Sequence, residues 1–329
     1  MSTMTRRAAL RRALLALACA PRLGFVLQPS YEEEIQRVVT SDTQRIALLD
    51  TWPDRATYRP GEQATLHIAL VNHGKQERSV RLDARLQWLD AQVEAIEKEI
   101  TLAPGSQTVS LPLALPGDSF RGYGVDLTLH DADGALLARG STALDVLEAW
   151  HQAPRYGFLS DFAPDDPLAA AHVEALARYH INVVQFYDWM WRHYVLMPPE
   201  ADFVDALGRS LSLRTVREKV AACRAHGMAA LGYAAVYGAE PEYALAHRDQ
   251  MLYDASGEPY SIEKLFYIMN IPRGNPWRPH ILAEMARAVR EVPFDGLHLD
   301  QYGFPKDQAF GPAPARTPYD LAEDFPPFI

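Results

Sequence analysis

The chain has 329 residues, 48% of them hydrophobic and 22% charged, with a formal net charge of −10. This excludes a disordered or fibrous chain, and the mild acidity argues against a nucleic-acid or anionic-membrane partner. The length suits roughly two domains of about 100–200 residues each. Residues 1–28 place Arg6, Arg7, Arg11 and Arg12 ahead of a short apolar run from Ala13 to Ala20. Charge followed by apolar residues reads as a bacterial export signal, so an extracellular or periplasmic location is expected. An amphipathic arm is the alternative. Arg6-Arg7 is weakly similar to a twin-arginine pair and Ala18-Cys19 to a lipid-attachment site, which leaves a lipid anchor open. No other stretch approaches the ~20 apolar residues of a membrane span. Residues 29–45 read as a linker or short helix. Of the two cysteines, Cys19 lies in the leader, so Cys223 has no partner once the leader is removed. A disulfide scaffold is excluded, and Cys223 reads as a small buried hydrophobe.

Residues 46–148 contain short segments, most alternating with period two: 45–49, 64–71, 80–89, 107–113, 122–130 and 136–146. Turn signals separate them, among them Pro60-Gly61, Pro104-Gly105, Pro116-Gly117 and Asp131-Ala-Asp-Gly134. The spacing predicts an immunoglobulin-like β-sandwich with a supporting or sugar-contacting role.

After Trp150 the pattern becomes alternating strand and helix. Strands are predicted at 156–161, 181–188, 228–237 and 294–300. Helices are predicted at 172–179, 213–226 (stopping at Gly227) and 278–292. Near-continuous apolar strands alternating with helices imply a parallel sheet covered by helices. Together with long polar and aromatic loops after each strand, they imply a (β/α)₈ barrel with its site at the C-terminal ends of the strands. Four units are countable. Residues 149–329 therefore read as the N-terminal half of a barrel, truncated after its fourth strand. The stretch 312–329 is Pro-rich and shows no strand pattern.

Four polar clusters fall at or beyond the strand ends. They are Asp161; Tyr187, Asp188, Trp189, Arg192 and His193; Tyr233 and Tyr237; and His298, Asp300 and Gln301. Carboxylates meeting aromatic rings in a concave site suit sugar chemistry, in which an oxocarbenium-like transition state needs a carboxylate at the anomeric carbon. Each residue also has a plainer reading. Asp161 suits a helix cap. Asp188 and Arg192, four apart, suit an ion pair. His298 suits a satisfied core histidine, and Asp295 a turn residue. Asp300 is the hardest to explain away, because an acid after the apolar run 296–299 is costly to bury unless paired or functional. No HExxH, paired-cysteine, phosphate-loop or Gly-x-Ser-x-Gly motif is present, so neither a metal nor a cofactor is expected.

At these positions the chain resembles glycoside hydrolase family 66, the dextranases and cycloisomaltooligosaccharide glucanotransferases. The matching segments are 156–162, 180–193, Gly208-Arg209, 232–239 and 294–303, within a resemblance covering roughly residues 45–310. It implies retaining cleavage of α-1,6-linked glucan. Asp300 falls on the nucleophile, Asp161 on a sugar-holding carboxylate, and Tyr187 to Trp189 on a substrate-facing loop. The general acid that it implies is a Glu on a later strand, with no matching position here, so this chain is expected to be inactive alone. A glucanotransferase, a non-catalytic glucan-binding remnant and a decayed gene product are the alternatives. The expected partner is an α-glucan such as dextran, met by a monomer.

Overall fold

The computed structural model describes residues 46–118, 120–300, 305 and 308–328. The leader, the linker and Gln301 lie outside the described residues. Two separate apolar cores divide the rest, one within residues 46–146 and one from Ala56 and Phe162 onward.

The first core lies between two sheets. Its strands are β1 (Ile46–Pro53), β2 (Thr57–Tyr58), β3 (Gln63–Asn72), β4 (Arg78–Trp88), β5 (Ala91–Leu102), β6 (Gly105–Ala114), β7 (Arg121–His130) and β8 (Leu136–Val146). One sheet has the order β1-β3-β6 and the other β2-β8-β7-β4-β5. Alternation explains the layering. Ala64, Leu66, Ile68 and Leu70 of β3 face Val80, Leu82, Ala84 and Leu86 of β4 in one cluster, while intervening residues turn outward.

Strand β5 is absent from the sequence reading. Its Glu94, Glu97, Lys98 and Glu99 give a charged, mostly exposed strand paired with β4 from Arg78↔Leu102 to Trp88↔Ala91. Charge on an edge strand discourages pairing with other chains, and it also hides the strand from a search for apolar alternation.

The second core surrounds a four-stranded parallel sheet. Its strands are β9 (Tyr156–Leu159), β10 (Val183–Phe186), β13 (Ala229–Ala235) and β17 (Gly296–Asp300), in the order β17-β13-β10-β9. Between them lie the hairpin of β11 (Asp202–Val204) with β12 (Ser210–Ser212), and the small sheet of β14 (Gly238–Ala239), β15 (Ser261–Ile262) and β16 (Phe266–Ile268). The covering helices are α1 (Ala169–Arg178), α2 (Leu213–Ala225) and α4 (Trp277–Glu291), with the single turn α3 (Pro241–Ala244) after β14. Helix α4 buries Trp277, Ile281, Met285 and Ala288, one stripe at helical spacing. Helix α2 ends where Gly227 was expected to stop it.

The Pro-rich segment corrects the sequence reading. Its Pro318–Tyr319 forms strand β19, paired with β18 (Ala309–Phe310) just before the segment, and the turn α5 (Leu321–Asp324) follows. Two-residue strands are too short to carry a periodic signal, and the proline sits on an edge strand. Among the described residues no helix is long and apolar enough to cross a membrane. Cys223 is a free, fully buried thiol.

The two cores meet at the loop after β1. Ala56 N donates to His226 O (2.8 Å) and Thr57 Oγ1 to Gly227 O (2.5 Å). Arg178 of α1 pairs with Asp50 at 3.6 Å and stacks on Trp52. Gly227 has φ +65°, and a Cβ there would stand 2.6 Å from Thr57 O. Gly227→Ala therefore combines left-handed strain with a clash against backbone. A loss of about 1–3 kcal/mol is expected in urea unfolding, and an unchanged midpoint would contradict this account of the junction.

Candidate functional site

The parallel register puts one set of side chains on one face. Tyr156 aligns with Val183, Phe158 with Gln185, Gln185 with Leu231, Tyr233 with His298 and Ala235 with Asp300. In a flat sheet β9 and β17 would stand roughly 14 Å apart, three strand spacings. Yet Tyr156 Oη and His298 Nδ1 form a 2.7 Å hydrogen bond. The sheet therefore curls, and this face is its concave side.

Asp300 ends β17 half-buried on that face. Tyr233 on neighbouring β13 donates its hydroxyl to Asp300 Oδ2 at 2.9 Å. Burial first, then the Asp300 charge and this hydrogen bond, raise the Tyr233 phenol far above its ordinary value. It stays protonated and serves as a fixed donor. Around the Tyr233 ring lie Tyr187, edge-on at 4.9 Å, His193, edge-on at 6.2 Å, and His298, near-parallel at 6.4 Å. Tyr187 is 38% exposed, so a large aromatic surface remains open beside the carboxylate.

Asp188 is 8% exposed with φ +50°, a conformation Asp tolerates better than most residues. Its Oδ2 lies 3.3 Å from Arg209 Nη2, and Arg209 also binds Asp205 at 2.6 Å. Burial raises the Asp188 carboxyl above its ordinary value. Arg209, and His193 when its ring is doubly protonated, oppose the rise, while Asp205 and Asp300 add to it. His193 is buried against Glu240, with Nδ1 2.8 Å from Oε1 and its main-chain N donating to both carboxylate oxygens at 2.9 and 3.1 Å.

Other expected residues lie elsewhere. Trp189 is fully buried, with Nε1 donating to Tyr233 O at 3.1 Å and its ring edge-on to Phe294, so it supports β13 from behind rather than facing a ligand. Tyr237 is fully buried, its carbonyl accepting from Met269 N. Arg192 does not pair with Asp188. It reaches Glu242 (3.2 Å) and the Trp191 and Val204 carbonyls, because the left-handed turn at Asp188 sends the chain toward the β11–β12 hairpin. Asp295 is a brace rather than a simple turn residue, accepting from Ala230 N and Arg224.

Asp161 is exposed and caps no helix. Its Oδ1 accepts from Ala163 N (3.1 Å), and α1 begins only at Ala169. Its carbonyl is held by Lys219 Nζ at 2.6 Å. Lys219 is fully buried and pairs with Asp166 at 2.9 Å, which holds Asp166 below the ordinary carboxylate range. Among the described residues no group of three or more His, Cys, Asp or Glu side chains is placed to hold a metal.

The family model for glycosyl hydrolase family 66 matches residues 53–329. The chain belongs to this family. A curated cycloisomaltooligosaccharide glucanotransferase from Niallia circulans is 29% identical over 301 residues, 84% of this chain and 30% of the relative. A second from the same organism is 27% identical over 317 residues, 90% of this chain and 31% of the relative. The crystal structure of a Paenibacillus sp. cycloisomaltooligosaccharide glucanotransferase, complexed with cycloisomaltoheptaose, matches with a TM-score of 0.78 at 26% identity, over 86% of this chain and 42% of that one. The chain spans about a third of the length of the curated relatives.

Within this family 66 chain, three polar residues escaped the sequence reading. Lys219 had a signal, since it falls on the apolar stripe Val216, Val220 and Cys223 of α2. Tyr156 had one too, two residues before Phe158 on the same strand face. Glu240 had none, because its partner is 47 residues away.

The raised Asp188 carboxyl gives a stability prediction. The folded chain holds this proton more tightly than the unfolded one, so stability falls as pH rises through the interval from the unfolded value to the raised one. Asp188→Asn removes that cost. The variant is expected to be more stable than the wild type near pH 7, with the gain gone below the unfolded value of about 3.9. Urea midpoints show this, and a less stable variant at neutral pH would mean that the Arg209 contact outweighs burial.

Proposed function

We propose that this chain carries the nucleophile and donor-side binding surface of a retaining enzyme acting on α-1,6-linked glucan. The observation that carries the reading is the Asp300 carboxylate at a strand's C-terminal end, with the Tyr233 hydroxyl on Oδ2 and the Tyr187 ring beside it. Asp300 attacks the anomeric carbon through Oδ1 as the bond to the leaving glucosyl O6 breaks. That oxygen takes a proton from the Glu that the family resemblance implies on a later strand. Tyr233 meanwhile holds Oδ2, so the carboxylate approaches in one orientation. Tyr187 offers a face for a glucosyl ring, and Asp161 binds sugar hydroxyls from the loop after β9.

The glycosyl–Asp300 ester then passes to an acceptor. The names of the two curated relatives favour a sugar hydroxyl, as in a glucanotransferase. Hydrolysis of dextran would share the first step and differ only in using water. In this reading residues 46–148 are an immunoglobulin-like support and residues 149–329 the first half of a (β/α)₈ barrel. The leader's arginines ahead of an apolar run favour export, where glucan polymers are met.

The test uses α-isomaltosyl fluoride, because fluoride departs without a proton and the assay therefore reads the nucleophile itself. The chain is expected to release fluoride above background. Asp300→Asn should abolish release. Tyr233→Phe should lower the rate by roughly tenfold, the worth of one hydrogen bond to a charged group of about 1.5–3 kcal/mol partly offset by water. Release unchanged in Asp300→Asn would overturn the assignment. Isomaltose added as acceptor should give longer oligosaccharides if transfer dominates, and only reducing isomaltose if water does.

A further inference from the structure

Glu240 is 4% exposed, yet it heads a helical turn at the surface of the parallel-sheet unit. It occupies the N-cap position of α3, where an acidic side chain ordinarily accepts from the first turn's N–H groups. Here it makes no such bond. Both oxygens turn instead to His193, taking the main-chain N–H, and Oε1 also meets Nδ1 at 2.8 Å. A carboxylate this buried is costly unless fully engaged, and the cap interaction has been given up for His193.

The consequence for His193 is chemical. A carboxylate accepts only, so Nδ1 must carry the proton. The ring is pinned between Phe266, with centroids 4.4 Å apart, and the edge contact with Tyr233. With Nδ1 on Glu240, Nε2 is the ring nitrogen left to meet a ligand. The ring borders the same tyrosine that holds Asp300.

We infer that Glu240 is a positioning residue. It locks His193 in the Nδ1–H form and presents Nε2, through its lone pair, to a hydroxyl of the glucosyl unit bound beside Asp300. The inference rests on the glucan reading above and extends it by naming a hydroxyl-recognising dyad. Recognition of this kind discriminates strongly, because an analogue lacking the hydroxyl leaves a buried polar nitrogen unpaired. Glu240 touches no sugar and acts only through the imidazole.

The test combines histidine ¹⁵N spectra with isomaltotriose titration of the whole chain. In the wild type, His193 Nδ1 should be protonated and Nε2 should shift as isomaltotriose binds. Glu240→Leu should lose the fixed tautomer and weaken isomaltotriose binding about tenfold. Glu240→Gln should restore both, because one amide oxygen can accept from Nδ1–H and from the main-chain N–H. His193→Phe keeps the ring's shape and should weaken binding like Glu240→Leu, so the test survives if the leucine variant fails to fold. Nδ1 unprotonated in the wild type, or wild-type affinity in His193→Phe, would overturn the inference. Fluoride release by the wild type reports separately on Asp300, so either idea can fail alone.

Discussion

The curl of the four-stranded parallel sheet is the constraint on which the site depends. It is witnessed by the hydrogen bond between Tyr156 on one edge strand and His298 on the other. A flat sheet would lay these groups out in a row, and Tyr187, Tyr233 and Asp300 would share no concavity. Curling follows from close packing on the convex side. There Gly232 lets the Phe294 ring approach to within 2.8 Å of where a Cβ would stand, while Phe186 packs edge-on against Phe294 and face-on against Phe162. Helices α1, α2 and α4 press this layer from outside and leave the polar groups on the other face.

That face concentrates negative charge. Asp188, Asp205, Glu240 and Asp300 are all buried or half-buried, and each has a designated partner. Arg209 serves Asp188 and Asp205, His193 serves Glu240, and the neutral Tyr233 hydroxyl serves Asp300. The division matters chemically. For the nucleophile proposed at Asp300, a directly bound cation would damp reactivity, whereas a phenol orients the carboxylate with a weaker electrostatic hold. The cost of burying charge here is visible in the raised Asp188 carboxyl, to which Asp205 and Asp300 add. Such strain at a site is expected where function and stability compete.

Much of this was legible in the sequence. Period-two alternation gave most strands of the first unit, and apolar runs ending in Asp161, Asp188 and Asp300 gave the strands of the parallel sheet. Asp300 stood out because an acid closing an apolar strand has few structural excuses. What was not legible has physical causes. The strand Ala91–Leu102 is patterned by charge rather than by apolar residues. Trp189 looks like a sugar platform in the sequence, but the left-handed turn at Asp188 rotates it into the core. Asp188 and Arg192 have helical spacing without a helix, so each found a distant partner. Glu240 and Lys219 are explained only by groups brought close through folding.

The central claim is that Asp300 forms the bond to sugar, and trapping that bond tests it most directly. A 5-fluoro-α-glucosyl fluoride extended by one α-1,6-linked glucose should form a slowly decaying ester with the chain. Peptide mapping by mass spectrometry should then place the added mass on Asp300, with Asp188 and Asp161 unlabelled. Label on another carboxylate, or a folded chain that takes up none, would contradict the account.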